Sequence, residues 1–141
     1  HNYQPSRWPA GNPESGYPDT DGSPTKSAIL QRGRADRSDH FWQLNFGKLP
    51  PEQLFNLQSD PDCLHNIADQ PESQALRTSL LQQMEAELRD QGDPRMFGNG
   101  DIFDKYRPTN GAGFHDLIMQ GKRPPAGWLN SSDFEPAPLG P

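Results

Sequence analysis

The chain has 141 residues, 16 of them Pro and 13 Gly, with 30% hydrophobic residues, a mean hydropathy of -0.98 and a formal charge of -6. So few apolar side chains struggle to offset about 1–2 kcal/mol of backbone entropy per ordered residue, so a self-sufficient core is not expected. No cluster of Lys and Arg is present to displace nucleic-acid counterions, and no run approaches the ~20 apolar residues that span a bilayer.

The aromatic content, 3 Trp, 7 Phe and 3 Tyr, is higher than a disordered tail keeps, so the sequence reads as a piece that packs on something larger. The negative charge is local: residues 49–100 carry nine acidic and three basic side chains. An anionic ligand is therefore expected to meet the first third of the chain. No charged-then-apolar leader is visible, so a signal peptide, if encoded, is expected upstream. Cys63 is the single cysteine and allows no internal disulfide.

In chain order, residues 1–22 read as irregular, broken by Pro5, Pro9, Gly11, Pro13, Gly16, Pro18 and Gly22. Residues 23–31 form a short helix pattern, with Ser23 placed to cap it and Pro24 in the first turn, and Arg32-Gly33-Arg34 expected to end it. Residues 39–46 are ambiguous. Trp42, Leu44 and Phe46 alternate as in a strand, whereas Trp42 with Phe46 and Phe41 with Leu44 also fall at helical spacing.

Residues 54–57 give the best strand pattern, too short to stand without two or three partners. His1, Asn2 and Tyr3 read as the end of one such partner. Asp60 and Asp62 are placed to cap a tight helical turn carrying Leu64 and Ile67, and Cys63 beside them reads as a small buried hydrophobe. The long helix is expected over residues 71–91, with Asp69 and Glu72 as a capping box and Leu76, Leu80, Leu81, Met84 and Leu88 as its apolar stripe. After Pro94 periodicity is lost. The remainder reads as an extended wrap that Phe103, Tyr106, Phe114 and Trp128 pin to a neighbouring surface.

The fold class expected is α+β: a small antiparallel sheet, incomplete in this chain, covered by one long amphipathic helix and flanked by extended Pro/Gly-rich segments. His1, His40, His65 and His115 lack zinc-ligand spacing. Asp19 with Asp21 and Asp60 with Asp62 read as turn-forming rather than metal-binding pairs.

Residues 51–68 carry Gln53-Leu54-Phe55-Asn56-Leu57, then Asp60-Pro61, then Asn66-Ile67-Ala68. This order resembles a signature near the C-terminus of type I sulfatases, which have a Glu-Leu-Tyr-Asp-Leu strand, an Asp-Pro turn and an Asn-Leu-Ala close. The stretches His1-Asn2-Tyr3-Gln4-Pro5-Ser6-Arg7-Trp8-Pro9-Ala10-Gly11 and Asp21-Gly22-Ser23-Pro24-Thr25-Lys26 are similar to loops of bacterial relatives of heparan N-sulfatase. Phe46-Gly47-Lys48, Gly92-Asp93-Pro94-Arg95 and Gly98-Asn99-Gly100-Asp101 extend the resemblance. Leu49, Gln53 and Phe55 depart from it, where Arg, Glu and Tyr are usual.

The resemblance implies that residues 1–105 are a sulfatase C-terminal subdomain within an alkaline-phosphatase-like fold, and 106–141 an extended tail. It suggests a helix for residues 39–46, the choice adopted. It also implies a separate N-terminal catalytic domain that holds Ca²⁺ and a formylglycine made from a Cys/Ser-x-Pro-x-Arg motif. Neither Cys63-Leu64-His65-Asn66-Ile67 nor Ser59-Asp60-Pro61-Asp62-Cys63 is that motif, so no catalytic residue is expected here.

The implied substrate is a sulfate ester or sulfamate of a carbohydrate, and the implied location is the periplasm or outside. Arg7, Trp8 and Lys26 are the candidate substrate contacts: a two-pronged bond to an anion, a stack on a sugar face, and an added charge. The competing reading has Trp8 packing the subdomain on the catalytic domain while Arg7 pairs with an acid. Two other functions stay open. One is a non-catalytic secreted glycan- or protein-binding fragment; the other is a phosphodiesterase or phosphonate hydrolase of the same superfamily.

Overall fold

The computed structural model describes residues 1–106, 113, 116–117, 120, 122 and 127–140. Phe114, His115, Pro108, Pro124, Pro125 and Pro141, read above as parts of the tail, lie outside them. The chain divides into two units: His1–Tyr3 with Pro50–Arg107, and Gln4–Leu49 with Pro108–Pro141.

The second unit contains helices α1 (Pro24–Ala35) and α2 (His40–Phe46). Ser23 caps α1 as expected, its Oγ accepting from the Lys26 amide at 3.1 Å, and Pro24 takes the first turn. The helix does not end at Gly33 but runs on to Ala35. The reason is packing. A Cβ on Gly33 would sit 2.1 Å from Trp42 Cδ1, so the missing side chain is what lets the indole lie against α1. Asp39 caps α2 through the Trp42 amide at 3.1 Å. Helical spacing thus prevails over alternation in this segment, because it buries Trp42 and Phe46 together.

Ala10, Tyr17, Leu30, Trp42 and Phe46 form the core of this unit, with Trp8, Ile29 and Leu139 packed against it. Residues 127–135 strap across it. Gly22 N–H donates to Trp128 O at 2.6 Å, Trp128 Nε1 to Pro18 O at 3.1 Å, and Glu135 N–H to Pro13 O at 3.1 Å. Gly22 admits the strap because a Cβ there would lie 2.8 Å from Asn130 N.

The first unit contains α3 (Gln74–Asp90), entered through a 3₁₀ turn at Pro71–Ser73. The expected capping box does not form: Asp69 is exposed and lies 3.7 Å from Arg77 Nη1 instead. Two more 3₁₀ turns follow, Pro94–Phe97 and Gly100–Lys105. Arg95 holds them against the chain start, stacking at 5.2 Å on both the Tyr3 and Phe103 rings while pairing with Asp93.

The α+β expectation is wrong: among the described residues there is no β-strand and no sheet under a helix. Residues 54–57, expected as a strand, run without regular structure into a turn that starts at Leu57, and among the described residues only Ile67 N–H to Leu54 O, at 2.9 Å, joins them to another segment through the backbone. Asn66 Oδ1 takes the Leu54 N–H at 2.9 Å, and Asn2 N–H to Pro51 O is a single contact of 2.7 Å. Isolated bonds of this kind do not make a ladder, which needs several strands to hold it. Cys63 is likewise exposed rather than buried, in a left-handed conformation (φ 53°) at a turn whose amides at Leu64 and His65 are capped by Asp60.

Candidate functional site

Lys26 enters the unit's interior from the first turn of α1. Its Nζ donates to the carbonyls of Gly16 at 2.8 Å, Tyr17 at 3.0 Å and Thr20 at 2.6 Å. Asp133 Oδ2 lies 3.7 Å away, and both side chains are essentially inaccessible. An ammonium has three N–H donors, and all three are used here. Burial pushes the Lys26 pKa down and the Asp133 carboxylate pushes it back up. This lysine fastens the loop after Gly16 to the strap, a place from which it does not reach an external ligand.

Trp8 is half-buried and stands edge-on to Trp42, with ring centroids 6.3 Å apart and planes at 64°. The Lys48 ammonium sits over the Trp8 ring at 4.8 Å, and the Arg37 guanidinium over Trp42 at 5.0 Å, within cation–π range. These four side chains, with Gln43 and Leu139, line an open groove of about 400 Å³. That volume lies within the usual range for small-ligand sites.

The two cations differ in their company. Arg37 Nη2 is 3.5 Å from Glu135 Oε2, and the other oxygen of that buried carboxylate accepts from Arg34 Nε at 3.0 Å. Lys48 has no carboxylate partner among the described residues.

Arg7 is exposed, its amide closing a turn on Gln4 O at 3.0 Å, and it is not among the groove's lining residues. The structure therefore does not gather Arg7, Trp8 and Lys26 into one site: Trp8 lines the groove, Arg7 is on the surface and Lys26 is inside. Arg37, Trp42 and Lys48 escaped sequence reasoning. Helical spacing marked Trp42 as core, but its meeting with Trp8 joins segments far apart in sequence.

Among the described residues no group of three or more His, Cys, Asp or Glu side chains is placed to hold a metal ion. No helix among them is long and apolar enough to cross a membrane. Comparison with family models, with curated proteins and with solved structures found no match.

Proposed function

We propose that the chain is the C-terminal part of a sulfatase acting on sulfate esters or sulfamates of a carbohydrate. Its role there is to complete the fold and wall the substrate cleft. The observation that carries this reading is the missing core of the first unit. Helix α3 has seventeen residues and not one is buried. Only Ala68 and Ser73 are buried among the described residues of that unit, while Leu57, Leu64, Leu76, Leu80, Phe97 and Tyr106 are exposed. An amphipathic helix whose stripe is at most half-buried, at Leu81, Met84 and Leu88, gains little tertiary stabilisation from its own chain. It belongs to a structure that continues in a larger partner, here the N-terminal sulfatase domain.

Formylglycine and Ca²⁺ belong, on this reading, to that domain. The residues of this chain fit neither: the Cys/Ser-x-Pro-x-Arg motif is absent, and no metal cluster occurs among the described residues. The enzyme would work in the periplasm or outside the cell.

The test is an assay of the 141-residue chain on 4-methylumbelliferyl sulfate, beside the polypeptide encoded with its upstream sequence. The chain alone is expected to be inactive, and the longer polypeptide active and dependent on its Cys/Ser-x-Pro-x-Arg motif. Turnover by the chain alone, or a longer polypeptide lacking that motif, sinks the reading. The groove beside Trp8 favours a second reading, a non-catalytic glycan-binding role. Retention on a sulfated polysaccharide, lost in the Arg7→Ala/Trp8→Ala double variant, would support it in the absence of such a motif.

A further inference from the structure

We infer that the groove beside Trp8 and Lys48 is a binding site for a sugar ring bearing an anionic group, carboxylate or sulfate, with Lys48 holding the charge. This deepens the carbohydrate reading and rests on it for the class of ligand. Three observations carry it. First, the groove is cationic in an acidic chain: it is lined by Arg37 and Lys48, and no acidic side chain is among its lining residues. Second, the cations are unequally committed. Arg37 shares the Glu135 carboxylate with Arg34, so that trio keeps a net positive charge, whereas the Lys48 ammonium sits over an indole face with no carboxylate partner among the described residues and is placed to receive an incoming anion.

Third, Trp8 is the aromatic wall of this groove: it is half-buried, whereas Trp42, edge-on to it at 6.3 Å, is buried behind it. A puckered ring presenting C–H bonds packs against a single indole of this kind, and Gln43 adds an amide for its hydroxyls. Leu139, packed on the core, forms the apolar side.

The experiment titrates the full 141-residue chain at low ionic strength, reading tryptophan fluorescence and calorimetric heat. Three tetrasaccharide probes separate the sources of charge: one derived from heparin (sulfate and carboxylate), one from hyaluronan (carboxylate alone), and cellotetraose (neutral). At least one anionic probe is expected to bind, and cellotetraose at least tenfold more weakly. Lys48→Gln is expected to lower the anionic affinity about tenfold, the loss of one charge-assisted contact.

Lys105→Gln, which removes an exposed cation of the other unit, is expected to leave the affinity unchanged. Circular dichroism confirms that both variants fold. Binding by neither anionic probe, equal binding of cellotetraose, or equal losses in the two variants overturns the site. These outcomes are separable from failure of the sulfatase reading. Turnover by the chain alone would remove that reading and leave the groove standing, whereas unselective binding would remove the groove and leave the sulfatase reading untouched.

Discussion

Lys26 and Tyr17 meet in the same small core and make opposite predictions. Removing Lys26 strands three carbonyls and leaves the Asp133 carboxylate buried without its cation. Lys26→Met is therefore expected to destabilise the second unit by about 3–5 kcal/mol, seen as a lower urea midpoint in equilibrium unfolding. The hydroxyl of Tyr17 is buried without a hydrogen-bond partner among the described residues. The Trp42 indole is close enough to act on its titration, but not in hydrogen-bond geometry. Tyr17→Phe discards that unsatisfied group, so it should leave stability unchanged or raise it by about 1 kcal/mol in the same experiment.

The same hydroxyl gives a pH dependence. Burial, reinforced by Glu135, pushes the Tyr17 pKa from 10.0 up to about 12. A pKa raised on folding means that the folded state holds its proton more tightly. The stabilisation this supplies is complete below about pH 10 and fades as pH rises towards about 12. Absorbance at 295 nm should show a tyrosine ionising in that upper range and vanishing in Tyr17→Phe; titration of all tyrosines near pH 10 would contradict the burial.

At the scale of elements, the contact between α1 and α2 depends on an absence. Gly33→Ala should gain up to about 1 kcal/mol in helix propensity. It would also drive a methyl to within 2.1 Å of the Trp42 ring. Overpacking of this kind costs about 1–3 kcal/mol, so the net effect should be loss of stability and a shifted tryptophan emission. A more stable Gly33→Ala variant would mean that Trp42 lies elsewhere. In the first unit, the bonds from Arg95 hold the Asp93 carboxyl down at about 2. Carbon-13 NMR should find its midpoint near that value, returning towards 3.8 in Arg95→Ala. As a depressed carboxylate, it supports the Pro94–Phe97 turn above about pH 4 and loses that hold as pH falls towards about 2.

Across the whole molecule, burial is divided unevenly between the units. The side chains of the hydrophobic core belong to the second, and the first keeps only Ala68 as a buried apolar residue among those described. Local stability follows local burial. Amide hydrogen exchange of the 141-residue chain should therefore find its slowest protons in α1 and α2, with α3 exchanging at rates near those of a free helix. Strong protection of α3 in the isolated chain would show that it has found a partner surface, and would weaken the reading of a dependent subdomain.

Much of the local structure was legible because its causes are local. Ser23 and Pro24 start a helix wherever they precede helix formers, and the stripe from Leu76 to Leu88 specifies α3 by its spacing alone. The weak hydrophobicity argued against a self-sufficient core, yet the second unit packs Tyr17, Leu30, Trp42 and Phe46 into one, while the first buries only Ala68 and Ser73 among its described residues. What the residues did not reveal depends on distant partners. A strand exists only when another backbone supplies its bonds, so residues 54–57 kept the pattern of one and lost the sheet. Lys26 looked like an available charge until three carbonyls and Asp133 closed around it. Lys48 came to line a groove only because packing brought Trp8, Trp42 and Leu139 to its side. Sequence spacing determines which face a residue takes on its own element; only the folded chain decides what stands opposite that face.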